Sequence, residues 1–126
     1  IDQDLPIQEV YRLLQEAAAP KVLVDKSPTY GGRPETLRRA EEMFDGAKYV
    51  YLYRHPYSVI ESYVRNRTGR MFDFGHADPY LLAEEVWTVN NRNIRAFVET
   101  VDPERVFAIR YEEMVQRPGE IMDGLC

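Results

Sequence analysis

The stretch "KYVYLYRHPYSVIES", Lys48 to Ser62, decides the fold. A run of mostly apolar and aromatic residues leads straight into Arg54-His55-Pro56, and Ser58 and Ser62 follow four positions apart. The run reads as a buried strand. Pro56 opens a helix to about Arg67 that turns Val59, Ile60, Tyr63 and Val64 inward. A strand that ends on an arginine, with two hydroxyls on the next helix, calls for an explanation beyond packing.

Working outward, the same alternation recurs. "KVLVD", Lys21–Asp25, is a short apolar run followed by the breakers Pro28 and Gly31-Gly32, and is expected to be a buried strand. "RVFAIRY", Arg105–Tyr111, reads as a third strand, and "EEMVQRPGEIMDGL" returns to helix with a break near Pro118. Between these runs lie helical patterns. Pro6–Ala18 carries Ile7, Val10, Tyr11, Leu14 and Ala18 on one face. Pro34 starts a helix through Leu37, Ala40, Met43 and Phe44 that Asp45-Gly46 closes. Asp78 caps a long helix starting at Pro79, with Leu82, Val86, Val89, Ile94, Phe97 and Val101 inward, ended by Asp102-Pro103. "TGRMFDFGHADP", Thr68–Pro79, has no clean period and reads as a loop or flap. Short strands apolar on both faces, alternating with helices, predict an α/β fold: a parallel sheet flanked by helices, one domain over residues 1–126.

Bulk properties narrow the function classes. Lys plus Arg is 16 and Asp plus Glu 21, a net charge of −5, which disfavours nucleic acid and anionic membrane as partners. Yet from Lys26 to Arg70 there are nine basic and five acidic residues, a local excess of +4 that suits either an anionic ligand or a solvated basic face. The single cysteine, Cys126, excludes an internal disulfide and fits a reducing, cytoplasmic setting. No apolar run approaches membrane-spanning length. The chain begins at Ile1 and "IMDGLC" stops inside an amphipathic pattern, so a piece of a larger domain is expected.

In open α/β sheets ligands sit beyond the carboxyl ends of the strands, beside the starts of the following helices. Arg54 falls at such an end, and the next helix presents free N–H groups and the positive end of its dipole. Guanidinium, hydroxyls and helix terminus together form a phosphate cradle, because the planar fork of arginine binds phosphate oxygens bidentately. The bland alternative is that Arg54 pairs with a carboxylate and the serines fill a helix.

The neighbouring segments favour the cradle. "YRHPYSVIES" resembles the 3′-phosphate-binding segment of sulfotransferases that use 3′-phosphoadenylyl sulfate (PAPS). "VLVDKSPTY" resembles the preceding strand and Lys-Ser/Thr-Pro turn of that family, and "RYEEMVQRPGEIMDGL" its later strand and helix. The intervening text is most similar to sulfotransferase domains of bacterial polyketide and olefin synthases. The resemblance implies a P-loop-NTPase-like sulfotransferase fold, incomplete here. The phosphosulfate-binding loop belongs before Ile1, and a glycine-rich nucleotide segment after Cys126. It implies PAPS as cofactor, without metal, and as acceptor a hydroxyl, the narrower likeness pointing to that of a β-hydroxyacyl chain on an acyl carrier protein.

Carried over residue by residue, the resemblance puts Arg54 and Ser62 on the 3′-phosphate, with Ser58 either joining them or only capping its helix. Lys26, just past the first strand, would face the transferring sulfuryl group, or be a surface lysine on a turn. His76 is the choice for general base, weighed against an ordinary loop histidine. His55 is expected to serve packing beside the cradle, and Met71, Phe72 and Phe74 either to contact an acyl chain or to tack the loop down. Asp25 orients Lys26 or the acceptor, or is a turn carboxylate. Trp87 is expected in the core, Asn90, Asn91 and Asn93 in solvent, and Tyr111 and Glu112 to brace a strand-to-helix turn. Two readings compete: a nucleotide or small-molecule kinase, which a glycine-rich Lys-Ser/Thr loop would favour, and a non-catalytic nucleotide-binding or docking module.

Overall fold

The computed structural model of the chain describes residues 4–44, 46–66 and 78–125. Two parallel strands, β1 (Tyr49–Tyr53) and β2 (Val106–Arg110), pair in the register Tyr49 with Val106 through Tyr53 with Arg110. The helices are α1 (Ile7–Ala18), α2 (Pro34–Met43), α3 (Pro56–Arg65), α4 (Pro79–Val98), α5 (Tyr111–Gln116) and α6 (Pro118–Leu125). Short 3₁₀ turns occupy Tyr30–Gly32 and Pro103–Arg105.

Prolines set the helix starts: Pro34, Pro56 and Pro79 each stand in the first turn, where the missing N–H costs nothing. At α4 the Asp78 carboxylate also accepts from the Tyr80 N–H at 2.8 Å. At the far end of α2, Gly46 takes φ +65°, the left-handed conformation that lets the chain turn back into β1. Pro118 separates α5 from α6 where the sequence places the break.

Side chains alternate across β1. Tyr49, Tyr51 and Tyr53 face α4, where the Tyr49 ring meets Phe97 edge-on at 5.0 Å. On the opposite face of β2, Phe107 lies beside Gly124 of α6. Helices therefore lie on both sides of the pair, as the α/β reading requires, with α6 reaching the second face at β2. The core gathers Leu37, Phe97 and Val101, with Tyr30, Tyr49, Ile94, Val98 and Val106 packed against it. Its rim is tied by Arg105, which forks onto Glu41 at 2.8 and 2.7 Å and donates Nε to the Ala47 carbonyl. Tyr49 Oη donates to the same Glu41 carboxylate at 2.6 Å. These bonds hold the Glu41 carboxyl below its ordinary range, Arg105 contributing most.

One expected strand is corrected. "KVLVD" runs outside any helix or ladder, with Val22 81% and Val24 80% exposed. No strand lies beside it among the described residues. Its backbone is met instead by Gln15 of α1, which donates to the Lys21 carbonyl at 2.8 Å and accepts from the Leu23 N–H at 2.9 Å. An apolar run declares which side chains seek burial, but a strand also needs a neighbour for its ladder. Val50 and Leu52 of β1 are likewise half-exposed, at 49% and 48%.

Candidate functional site

The site grows from the turn between β1 and α3. Arg54 and His55 leave the strand; His55 is the N-cap residue, with φ −51° and ψ 129°, and Pro56 follows. No side chain caps α3, so the N–H groups of Tyr57 and Ser58 meet no capping side chain, at the positive end of the helix dipole.

Three contacts from other elements fix the turn. Trp87 Nε1 of α4 donates to the Arg54 carbonyl at 3.3 Å. The His55 N–H donates to Glu112 Oε1 of α5 at 3.0 Å, while Arg110 Nε donates to Glu112 Oε2 at 3.3 Å. The Arg54 guanidinium lies 4.7 Å from the centre of the Tyr111 ring, an attraction between cation and aromatic face. Tyr111 and Glu112 thus brace a strand-to-helix turn, and the turn they brace is that of β1 as well as their own. The hydrogen bond from His55, first of all, holds the Glu112 carboxyl below its ordinary range. Among the described residues no carboxylate forms an ion pair with Arg54. An arginine held by backbone and ring, with its charge unpaired there, is arranged to receive an anion.

Ser58 and Ser62 are half-buried on α3, one turn apart. Ser62 Oγ accepts from Asn66 Nδ2 at 3.2 Å, which leaves its own proton to donate. Ser62 stands six residues beyond Pro56, about 9 Å of helix rise. An anion shared by Arg54 and Ser62 must therefore lie along the flank of α3. Lys26 is exposed on the segment before Ser27-Pro28-Thr29. Its neighbour Asp25 accepts from Tyr30 Oη at 2.6 Å, and this bond is the main reason the phenol's pKa is raised. His76, Met71, Phe72 and Phe74 lie outside the described residues.

The Tyr30–Gly32 turn and the Arg54 turn are both tied to α4. Asn93 Nδ2 donates to the Gly31 carbonyl at 2.9 Å, six positions along the helix from Trp87, about 9 Å of rise. Asn91 Nδ2 donates to the Trp87 carbonyl at 2.7 Å while its Oδ1 accepts from Tyr51 Oη at 2.7 Å. Asn90 donates to the Val86 carbonyl at 2.7 Å. The expectation that these asparagines are solvated is therefore wrong: all three are partly buried and paired. A signal was present. Asparagine is unfavourable inside helices, so three in four positions imply that paired side chains compensate, here through carbonyls of α4 itself and through Tyr51 and Gly31. Trp87, expected in the core, is instead half-buried on the wall of a groove and is a donor to the site. Beside it, Tyr51 and Tyr53 of β1 and Asn91, Arg92 and Arg95 of α4 line an open groove of about 680 Å³. Among the described residues no group of three or more His, Cys, Asp or Glu side chains could hold a metal ion, and no helix is long and apolar enough to cross a membrane.

Comparison with known proteins follows the same lines. Residues 3–126 match the sulfotransferase family. No curated protein matches. The sulfotransferase domain from the curacin biosynthetic pathway superposes with a TM-score of 0.89 at 50% identity, over 95% of this chain and 42% of that one. The sulfotransferase domain from the Synechococcus PCC 7002 olefin synthase superposes with a TM-score of 0.85 at 40% identity, over 98% of this chain and 42% of that one. The chain thus spans 42% of the length of both solved domains.

Proposed function

Because this chain belongs to the sulfotransferase family, we propose that it carries the 3′-phosphate-binding part of an enzyme that moves a sulfuryl group from PAPS to a hydroxyl. The observation that carries this reading is Arg54, set at the carboxyl end of β1 with no carboxylate partner among the described residues and an uncapped helix start beside it. The donor set suits a phosphate monoester: one fixed guanidinium, the Ser62 hydroxyl on the flank of α3 and the Ser58 hydroxyl between them. When bound, PAPS supplies the activated sulfuryl group.

The chain's own residues have the following roles in this proposal. Arg54 and Ser62 anchor the nucleotide end, with Ser58 adding a hydroxyl, and so fix the direction in which the sulfuryl group points. Lys26 meets the charge on that group from the opposite turn, and Asp25, held by Tyr30, limits where Lys26 can go. His76 removes the proton of the acceptor hydroxyl. The two solved domains come from curacin and olefin biosynthesis, which supports a β-hydroxyacyl chain presented by an acyl carrier protein as the acceptor. A cytoplasmic setting belongs to the same proposal.

The test is calorimetric titration of the full-length protein with adenosine 3′,5′-bisphosphate, beside Arg54→Ala. A charge-assisted hydrogen bond is worth about 1.5–3 kcal/mol, so losing a bidentate contact should weaken binding by roughly 10²-fold or more. Equal affinity of the two proteins, or no binding by the wild type, would refute the reading.

A further inference from the structure

We propose that Glu112 is a positioning residue for the phosphate site, a role that rests on the function proposed above. In a capping box, the residue three places into a helix reaches back with a carboxylate to the N-cap N–H. In α3 that place is held by Ser58, not by a Glu or Gln long enough to reach back, and no side chain of the helix makes the cap bond. The missing half of the box comes from another element: Glu112 Oε1 takes the His55 N–H across 57 residues of sequence, at 3.0 Å.

The consequence is geometric. His55 follows Arg54 directly, so pinning its N–H fixes the peptide plane that carries Arg54 into the turn. The adjacent residue, Tyr111, offers its ring to the Arg54 guanidinium. Backbone and side chain of the arginine are thus both located by two consecutive residues of the second strand-to-helix turn. A carboxylate here has an electrostatic drawback, since it would repel a bound phosphate. The Arg110 contact at 3.3 Å offsets that charge. Glu112 is retained, in this account, for the position of its oxygen and not for its charge.

The distinction can be measured. Adenosine 3′,5′-bisphosphate and adenosine 5′-phosphate differ only in the group Arg54 holds, so the ratio of their affinities for the full-length protein reads the 3′-site alone. Glu112→Ala should lower that ratio about tenfold while affinity for the 5′-phosphate stays unchanged, a loss equivalent to one hydrogen bond of about 1.4 kcal/mol. Glu112→Gln, which keeps an oxygen for the His55 N–H, should restore the ratio to within about twofold. Glu112→Asp keeps the charge but is one methylene short, and should behave like Ala; it also serves if the Ala variant does not fold. An Asp variant like wild type together with a defective Gln variant would mean charge, not position, and overturns the proposal. A ratio unmoved by Glu112→Ala but collapsed by Arg54→Ala removes the Glu112 role and leaves the phosphate site standing. A ratio unmoved by Arg54→Ala removes the underlying function, and the positioning role with it.

Discussion

Replacing Gly31 by alanine should loosen the attachment of the Tyr30–Gly32 turn to α4, and the size of the effect follows from the contacts. A Cβ at Gly31 would stand 2.6 Å from Asn90 Oδ1 and 2.8 Å from Ile94 Cδ1, both closer than real Cβ contacts allow. The backbone there is not left-handed, so the obstacle is space and not torsion. Neither neighbour can retreat freely. Asn90 is held by its bond to the Val86 carbonyl, worth about 1 kcal/mol. Ile94 packs against the Leu37, Phe97 and Val101 cluster, and overpacking such a site costs about 1–3 kcal/mol. Against this, alanine stabilises by about 0.4–1 kcal/mol through the unfolded chain. The net expectation is a loss of roughly 2 kcal/mol, or about 1 M in urea midpoint at a slope near 2 kcal/mol/M. Gly32 is the control, because a Cβ there meets nothing within 4 Å. Gly32→Ala carries the same unfolded-state gain and should be neutral or slightly stabilising. Urea titrations of both variants in the full-length protein, followed by circular dichroism, give the comparison. Equal midpoints for the two would refute the tight seating of Gly31 on α4.

Trp87→Phe keeps a ring on α4 but removes the donor to the Arg54 carbonyl. It should cost about 1 kcal/mol of stability and weaken adenosine 3′,5′-bisphosphate several-fold; unchanged affinity in calorimetry would reduce Trp87 to packing. Acid should act through Glu41 and Glu112, both held below their ordinary value of 4.5, by Arg105 and by the His55 N–H respectively. A carboxyl whose pKa is depressed on folding contributes stability that is fully present above about pH 5 and is lost as pH falls through the folded value. Urea midpoints should thus be flat for these groups near neutrality and drop below pH 4.5. The drop should be smaller in Glu41→Gln, and an identical acid profile would show that Glu41 has no part in it.

The elements that could be read from the sequence are those whose information is local. Pro34, Pro56 and Pro79 mark helix starts, and the apolar faces of α3 and α4 follow from spacing alone. β1 and β2 were legible because each run is short, apolar on both faces and bounded by helix signals. "KVLVD" has the same signature and no ladder, since strand pairing depends on a neighbour that the run itself does not encode. Arg54 stood out for the same local reason: a charge ending an apolar strand is anomalous unless something answers it. The sequence marks Glu112 as a brace and Asn93 as out of place in a helix, but not what either one holds. Their partners are a backbone N–H 57 residues away and a backbone carbonyl 62 residues away, and every residue type offers those groups.

This difference says why α4 matters to the site although it holds none of the expected site residues. A helix that only packed against the sheet would need leucines where α4 has Trp87, Asn90, Asn91 and Asn93. Each polar group half-buried there costs free energy unless it is paired, and each is paired. Trp87 takes the carbonyl of Arg54, Asn93 takes the carbonyl of Gly31, and Asn91 bridges Trp87 to Tyr51. A rigid rod with two hydrogen bonds about 9 Å apart along its axis fixes the spacing between the Tyr30–Gly32 turn, which follows the Lys26 segment, and the turn that carries Arg54. In-line transfer needs such a fixed spacing, because a misplacement of about 1 Å can cost 10²-fold in rate. Directional hydrogen bonds hold a distance where leucine contacts would let the turns slide. The polar stretch of α4 therefore trades a little helix propensity for the spacing on which the proposed chemistry depends.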